Sequence, residues 1–198
     1  MSSKIEKIGL FGGSFDPVHN GHLALAERAV EFAKLERVLF IPTANPPHKI
    51  GRKLTDFDTR RRMVELAIEG CPGFELSLFE KKERVAYTYE SVEYFRDKGY
   101  PREKLHYLMG GDSLAEISDW KKPEVIFKYA TVVSLSRPGY AGFAPFPPDA
   151  AVIIINRGKC AVSSTAVREA VRVGKSIKGM VPAGIEEFIR VNSLYIKE

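Results

Sequence analysis

The chain has 198 residues, 44% of them hydrophobic and 28% charged, with 30 basic against 25 acidic side chains for a net charge of +5. This composition excludes a disordered or fibrous protein, and the length fits one domain, 1–198, with a core of ordinary size. Apolar runs such as 150–155 are too short to cross a bilayer, no apolar leader opens the sequence, and Cys71 and Cys160 lie far apart, so no membrane partner, signal peptide, disulfide framework or zinc module is expected and a cytoplasmic protein is.

In chain order, residues 7–13 (KIGLFGG) form a short apolar run that ends in glycines, which predicts a buried parallel strand. Residues 22–35 place Leu23, Ala26, Val30 and Ala33 at helical spacing. A strand follows at 37–42, then a loop at 43–57 that contains Pro46, Pro47 and Gly51. Residues 58–70 predict a helix capped by Asp58 or Thr59 and stopped at Gly70, and the Arg60, Arg61, Arg62 triplet within it reads as a solvated face. Residues 74–79 alternate as a strand, 88–100 predict a helix stopped by Gly99, and 104–111 repeat the pattern of a strand running into glycines. The remaining elements are a helix at 122–130, a strand at 131–139, a proline-bearing loop at 139–149, a strand at 151–156 and helices at 163–174 and 182–192. This alternation predicts an α/β fold, a Rossmann-like doubly wound, mostly parallel sheet with helices on both faces.

Such sheets bind ligands beyond the carboxyl ends of their strands. Two stretches there carry phosphate chemistry. In GLFGGSFDPVHNGH, Gly12 and Gly13 allow close backbone approach, and His19 and His22 lie at the start of a helix, where N–H groups favour anions. In SSTAVR, Ser163, Ser164 and Thr165 open another helix, with Arg168 one turn on. The plain alternatives are a helix cap and an exposed imidazole in the first stretch, and an ordinary N-cap with a surface arginine in the second. A metal pair at His19 and His22 lacks a third ligand, so no metal site is assigned. Neither a G-x-G-x-x-G after the first strand nor a G-K-[ST] occurs, which argues against hydride transfer and against a Walker-type NTPase.

GGSFDPVHNGH together with SSTAVR resembles the H-x-G-H nucleotidyltransferase superfamily. IPTANPPHK at 41–49, RRRM at 60–63, AYTYES at 86–91, MGGDS at 109–113, Trp120, SRPGY at 136–140 and the ending VPAGIEEFIRVNSLY are similar to bacterial nicotinate-nucleotide adenylyltransferases over almost the whole chain. The departures are small, chiefly Ala86 for the usual Ser and Val85 for a common Pro. The resemblance implies direct in-line transfer of AMP from ATP to nicotinate mononucleotide, giving deamido-NAD and pyrophosphate in NAD biosynthesis. It implies catalytic roles for His19, His22 and Arg168. It places Gly12, Gly13, Ser14, Phe15, Lys49, Asp112, Ser163, Ser164 and Thr165 on ATP, and His48, Tyr87, Thr88, Trp120 and Arg137 on the mononucleotide. Mg²⁺ is expected to arrive with ATP. Rival readings are nicotinamide mononucleotide or phosphopantetheine as acceptor, and a silent ATP-binding module. Nucleic acid is not expected as a partner, because no basic stripe interleaved with aromatics is present. A homo-oligomer stays open.

Overall fold

The computed structural model describes residues 5–45, 54–79, 87–136, 146–156 and 162–196. Six strands form one parallel sheet in the order β3-β2-β1-β4-β5-β6. They are β1 (Ile8–Gly13), β2 (Arg37–Pro42), β3 (Phe74–Leu76), β4 (Leu105–Gly110), β5 (Thr131–Ser136) and β6 (Val152–Asn156). The helices are α1 (Asn20–Ala33), α2 (Phe57–Ile68), α3 (Thr88–Asp97), α4 (Gly111–Ala115), α5 (Pro123–Tyr129), α6 (Ser164–Arg172) and α7 (Ala183–Val191). Among the described residues no helix is long and apolar enough to cross a membrane.

Side chains alternate across each strand, so β1 sends Phe11 to one face and Ile8 and Leu10 to the other. The Phe11 face packs on Leu25, Ala26 and Ala29 of α1, Met63 and Val64 of α2, Val167 of α6 and Ile185 of α7. The opposite face packs on Val92 and Phe95 of α3 and on Ile126 and Phe127 of α5. With both faces covered, the strands read as apolar runs rather than as alternating ones. The chain moves outward from β1 to β2 and β3, then returns to lay β4 along the other side of β1. The strand order therefore reverses between β1 and β4, and the crevice opens beyond their carboxyl ends.

Several element limits differ from expectation. The helix after the first strand begins at Asn20, so His19 is its N-cap and His22 its third residue. The α2 cap is Asp56, not Asp58 or Thr59: its carboxylate accepts from the Thr59 N–H at 2.9 Å, and that bond holds it below the usual carboxylate range. Strand β3 stops at Leu76, where its pairing with β2 ends and Pro42 has no N–H for a further rung. Gly111 opens α4 rather than closing β4, and a 3₁₀ turn over Ile117–Asp119 leads to Trp120.

Candidate active site

From Gly13 the chain turns through Ser14, Phe15 and a cis Asp16–Pro17 bond to His19. Phe15 has left-handed backbone (φ +48°) and a ring only 1% exposed, set edge-on to Phe11 and His22 with centroids at 5.4 and 5.1 Å. A side chain at Gly12 would run into the Tyr107 hydroxyl, and one at Gly13 would press on the Phe15 ring at 3.1 Å. These glycines thus admit buried aromatic groups as well as leaving the backbone open toward a ligand.

The two imidazoles are stacked, with centroids 3.6 Å apart and planes at 23°. The His19 backbone N–H donates to His22 Nδ1 at 3.1 Å. An accepting Nδ1 carries no proton, so the ring is the neutral tautomer with its proton on Nε2. Stacking at this distance also disfavours two adjacent imidazolium cations. His22 is therefore built as a neutral hydrogen-bond donor. The cap reading therefore holds for the backbone, and the capping bond is also what orients the His22 ring.

Helix α6 starts beside this turn. Ser163 is its N-cap and accepts from the Ala166 N–H. Ser164 Oγ donates to the Pro17 carbonyl at 2.9 Å, and Arg168 Nη1 donates to the Asp16 carbonyl at 2.8 Å. Arg168 Nη2 also lies 3.4 Å from Thr165 Oγ1. The two phosphate-type sequences, read separately in the chain, are thus hydrogen-bonded to each other.

Arg60 corrects the reading of the arginine triplet as a solvated face. Arg61 and Arg62 pair with Asp58 and Glu65 along the surface of α2, but Arg60 is 1% exposed. It donates to four carbonyls: Thr55 at 2.8 Å, Ser14 at 2.6 Å, Thr43 at 2.9 Å and Ala44 at 3.2 Å. Burial lowers its pKa, and the negative charges of Asp16 and Asp56 oppose that shift. Its fork of donors ties the β1–α1 turn to the segment leaving β2, where the Thr43 N–H also reaches the Gly13 carbonyl at 2.9 Å.

At the other end of the crevice, Thr88 opens α3 with its hydroxyl 3.2 Å from that of Tyr107. The Lys121 ammonium lies 4.2 Å from the Tyr87 ring centroid, and Lys122 is 4.7 Å from that of Tyr89. Trp120 is half-buried and leans on the core of the α3 side. Asp112 is exposed, in the first turn of α4, and is not that helix's cap.

A cavity of about 610 Å³ joins the two ends. Gly12, Gly13, Ser14, Phe15, His19 and His22 line one side, with Ser163 and Ser164 beside them. Tyr87, Thr88, Asp112 and Trp120 line the other. Thr165 and Arg168 do not line it, while His48, Lys49 and Arg137 lie outside the described residues. Sequence reading missed Tyr107 and Lys121, which also line the cavity, and Arg60, which supports it. RRRM carried a signal for Arg60, because Arg60 and Met63 share the buried face of α2.

The chain matches the Cytidylyltransferase-like family over residues 10–170. It is 38% identical to a Clostridium tetani protein named as a probable nicotinate-nucleotide adenylyltransferase, over 96% of this chain and 100% of that one. A Geobacillus kaustophilus protein of the same name is 34% identical over 96% of this chain and 86% of its own length. Among solved structures, the fold is similar to the Plasmodium falciparum nicotinic acid mononucleotide adenylyltransferase complexed with NaAD, with a TM-score of 0.79 at 18% identity over 96% of this chain and 97% of that one. With its H-x-G-H turn and its serine-rich helix start on one cavity wall, and with relatives matched nearly end to end, the chain belongs to the nicotinate-nucleotide adenylyltransferase family.

Proposed function

We infer that this cavity transfers AMP from ATP to nicotinate mononucleotide, releasing pyrophosphate and leaving deamido-NAD. The observation that carries this reading is one cavity with two chemically different ends, joined by the Gly12–Tyr107–Thr88 contact. One end offers backbone N–H groups, hydroxyls and a neutral imidazole, which suit polyphosphate. The other offers ring faces and a helix start, which suit a flat acidic ring.

In the proposed mechanism the mononucleotide phosphate attacks the α-phosphorus in line, with no covalent intermediate on the protein. Catalysis then rests on positioning and on donors aimed at developing charge. His22 Nε2–H donates to an α-phosphoryl oxygen, with stacked His19 fixing its ring. Gly12, Gly13, Ser14 and Phe15 present the turn backbone, and Ser163 and Ser164 receive the departing pyrophosphate, with Thr165 and the charge of Arg168 next to them. Asp112 accepts from a ribose hydroxyl of ATP. Trp120 stacks on the pyridine ring, Thr88 and the start of α3 bind its carboxylate, and Tyr87 walls the site. Lys49, His48 and Arg137 keep the substrate-facing roles that the family resemblance gives them. Among the described residues no three His, Cys, Asp or Glu side chains gather to hold a metal; Mg²⁺ would come bound to ATP and would supply charge neutralisation there, which calls for few ligands from this chain.

Pyrophosphate release measured with ATP and each candidate acceptor tests the assignment. Nicotinate mononucleotide is expected to support the highest kcat/KM. Faster release with nicotinamide mononucleotide or phosphopantetheine would reassign the acceptor, and ATP binding without release in any mixture would make the protein a silent module.

A further inference from the structure

The β1–α1 turn is held from behind by a residue 179 positions away. Tyr195, in the left-handed turn that follows α7 (φ +64°), donates its hydroxyl to Asp16 Oδ1 at 2.7 Å. The other carboxylate oxygen, Oδ2, accepts from the Thr55 N–H at 3.3 Å. Asp16 is 2% exposed, so this carboxylate depends on protein donors in place of water. Burial, then the charge of Asp16, pushes the Tyr195 hydroxyl well above its ordinary pKa, which keeps it a donor at any working pH.

Three further donors hold the same short turn. Arg60 takes the Ser14 carbonyl, Arg168 the Asp16 carbonyl and Ser164 the Pro17 carbonyl. With these carbonyls drawn rearward, the backbone from Gly12 to His19 has its orientation set where it lines the cavity. Neither Tyr195 nor Arg60 lines the cavity itself. The Tyr195 hydroxyl also touches Met63 Sδ at 4.0 Å, so its ring is packed by the helix that carries Arg60.

We propose that Tyr195 is a positioning residue for adenylyl transfer: through Asp16 its hydroxyl sets the turn that presents donors to the ATP phosphates. This rests on the adenylyltransferase reading above. A purely structural Tyr195, clamping the tail onto α2, is the alternative to be separated from it.

Tyr195→Phe keeps the ring and removes the hydroxyl. In the full chain, kcat and both KM values are measured by pyrophosphate release, ATP affinity by titration calorimetry, and Tm alongside. The variant is expected to lose about tenfold in kcat/KM for ATP, with ATP affinity weakened and KM for the mononucleotide within about twofold of the parent. Met63→Leu, which disturbs the packing and leaves the hydroxyl, is expected to lower Tm while sparing the ATP constants. A Tyr195→Phe protein that loses only Tm, or a Met63→Leu protein with the same ATP defect, would overturn the proposal. If Tyr195→Phe does not fold, Asp16→Asn, which removes the charged acceptor, is read by the same measurements and judged by the same outcomes. A parent protein that binds ATP but transfers nothing refutes the function reading instead, and the ATP affinities of parent and variant then still decide the positioning role.

Discussion

At the end of the cavity proposed to take the phosphates, the carbonyls of Ser14, Asp16 and Pro17 are held by side chains 46 to 152 residues distant in sequence, and one of the holding groups, Arg60, is fully buried. At the end proposed to take the pyridine ring, the rings of Tyr87 and Trp120 are only partly buried, and Tyr87 meets the ammonium group of exposed Lys121. On the proposed function, the contrast follows from what each end would bind. Charge that develops on a phosphoryl oxygen is stabilised by donors already in place, because donors that must reorganise give back much of the gain. A flat ring needs only a face at the right spacing, and half-exposed aromatics provide that while tolerating small shifts.

Breaking the phosphate end should show in kcat. His22→Ala is expected to lower kcat by about 10²- to 10³-fold, the effect of losing one preorganised donor, as read by steady-state pyrophosphate release. Because Nδ1 of His22 accepts a backbone N–H, the donor is a neutral imidazole, and the kcat of the parent protein should stay level from about pH 7 to 9. A fall across that range would mean that an imidazolium carries the role. The join between the two ends is probed next. Gly12→Ala drives a methyl group into the Tyr107 hydroxyl and should cost about tenfold in kcat/KM, since overpacking displaces backbone. Adding Tyr107→Phe removes the colliding oxygen and should restore part of that loss; additive losses would place the defect elsewhere. The smallest effect is expected at the pyridine end. Trp120→Ala should raise KM for the mononucleotide about five- to tenfold and leave KM for ATP within about twofold, in line with the loss of one stacking face. Equal changes in both would make Trp120 a packing residue and erase the contrast between the ends.

The sequence made the doubly wound architecture legible, because strand-length apolar runs alternate with helix-period segments and glycines mark where strands give way to turns. Short elements were not legible: α4 has five residues and the turn before Trp120 has three, too few to display a period. The α2 cap was misread because Asp56, Asp58 and Thr59 are all good caps, and only the Asp56–Thr59 bond distinguishes them. The glycine turn and the SSTAVR helix start were both visible as chemistry, but not the hydrogen bonds that join them. Arg60 was hidden by its neighbours: three adjacent arginines look alike in composition, whereas each residue turns about 100° around the helix and only the first faces Met63 and the core. The pairing of Tyr195 with Asp16 has no local signature, because neither residue type nor spacing reports a contact across 179 positions.

That long reach has a consequence for any shortened form of the polypeptide. The histidine turn lies near residue 20 and its rear fastening at residue 195, so a polypeptide that stops short of Tyr195 keeps every residue of the turn and loses the bond behind it. On the positioning proposal above, such a polypeptide should bind ATP more weakly than the parent although each residue proposed to touch the nucleotide is still present.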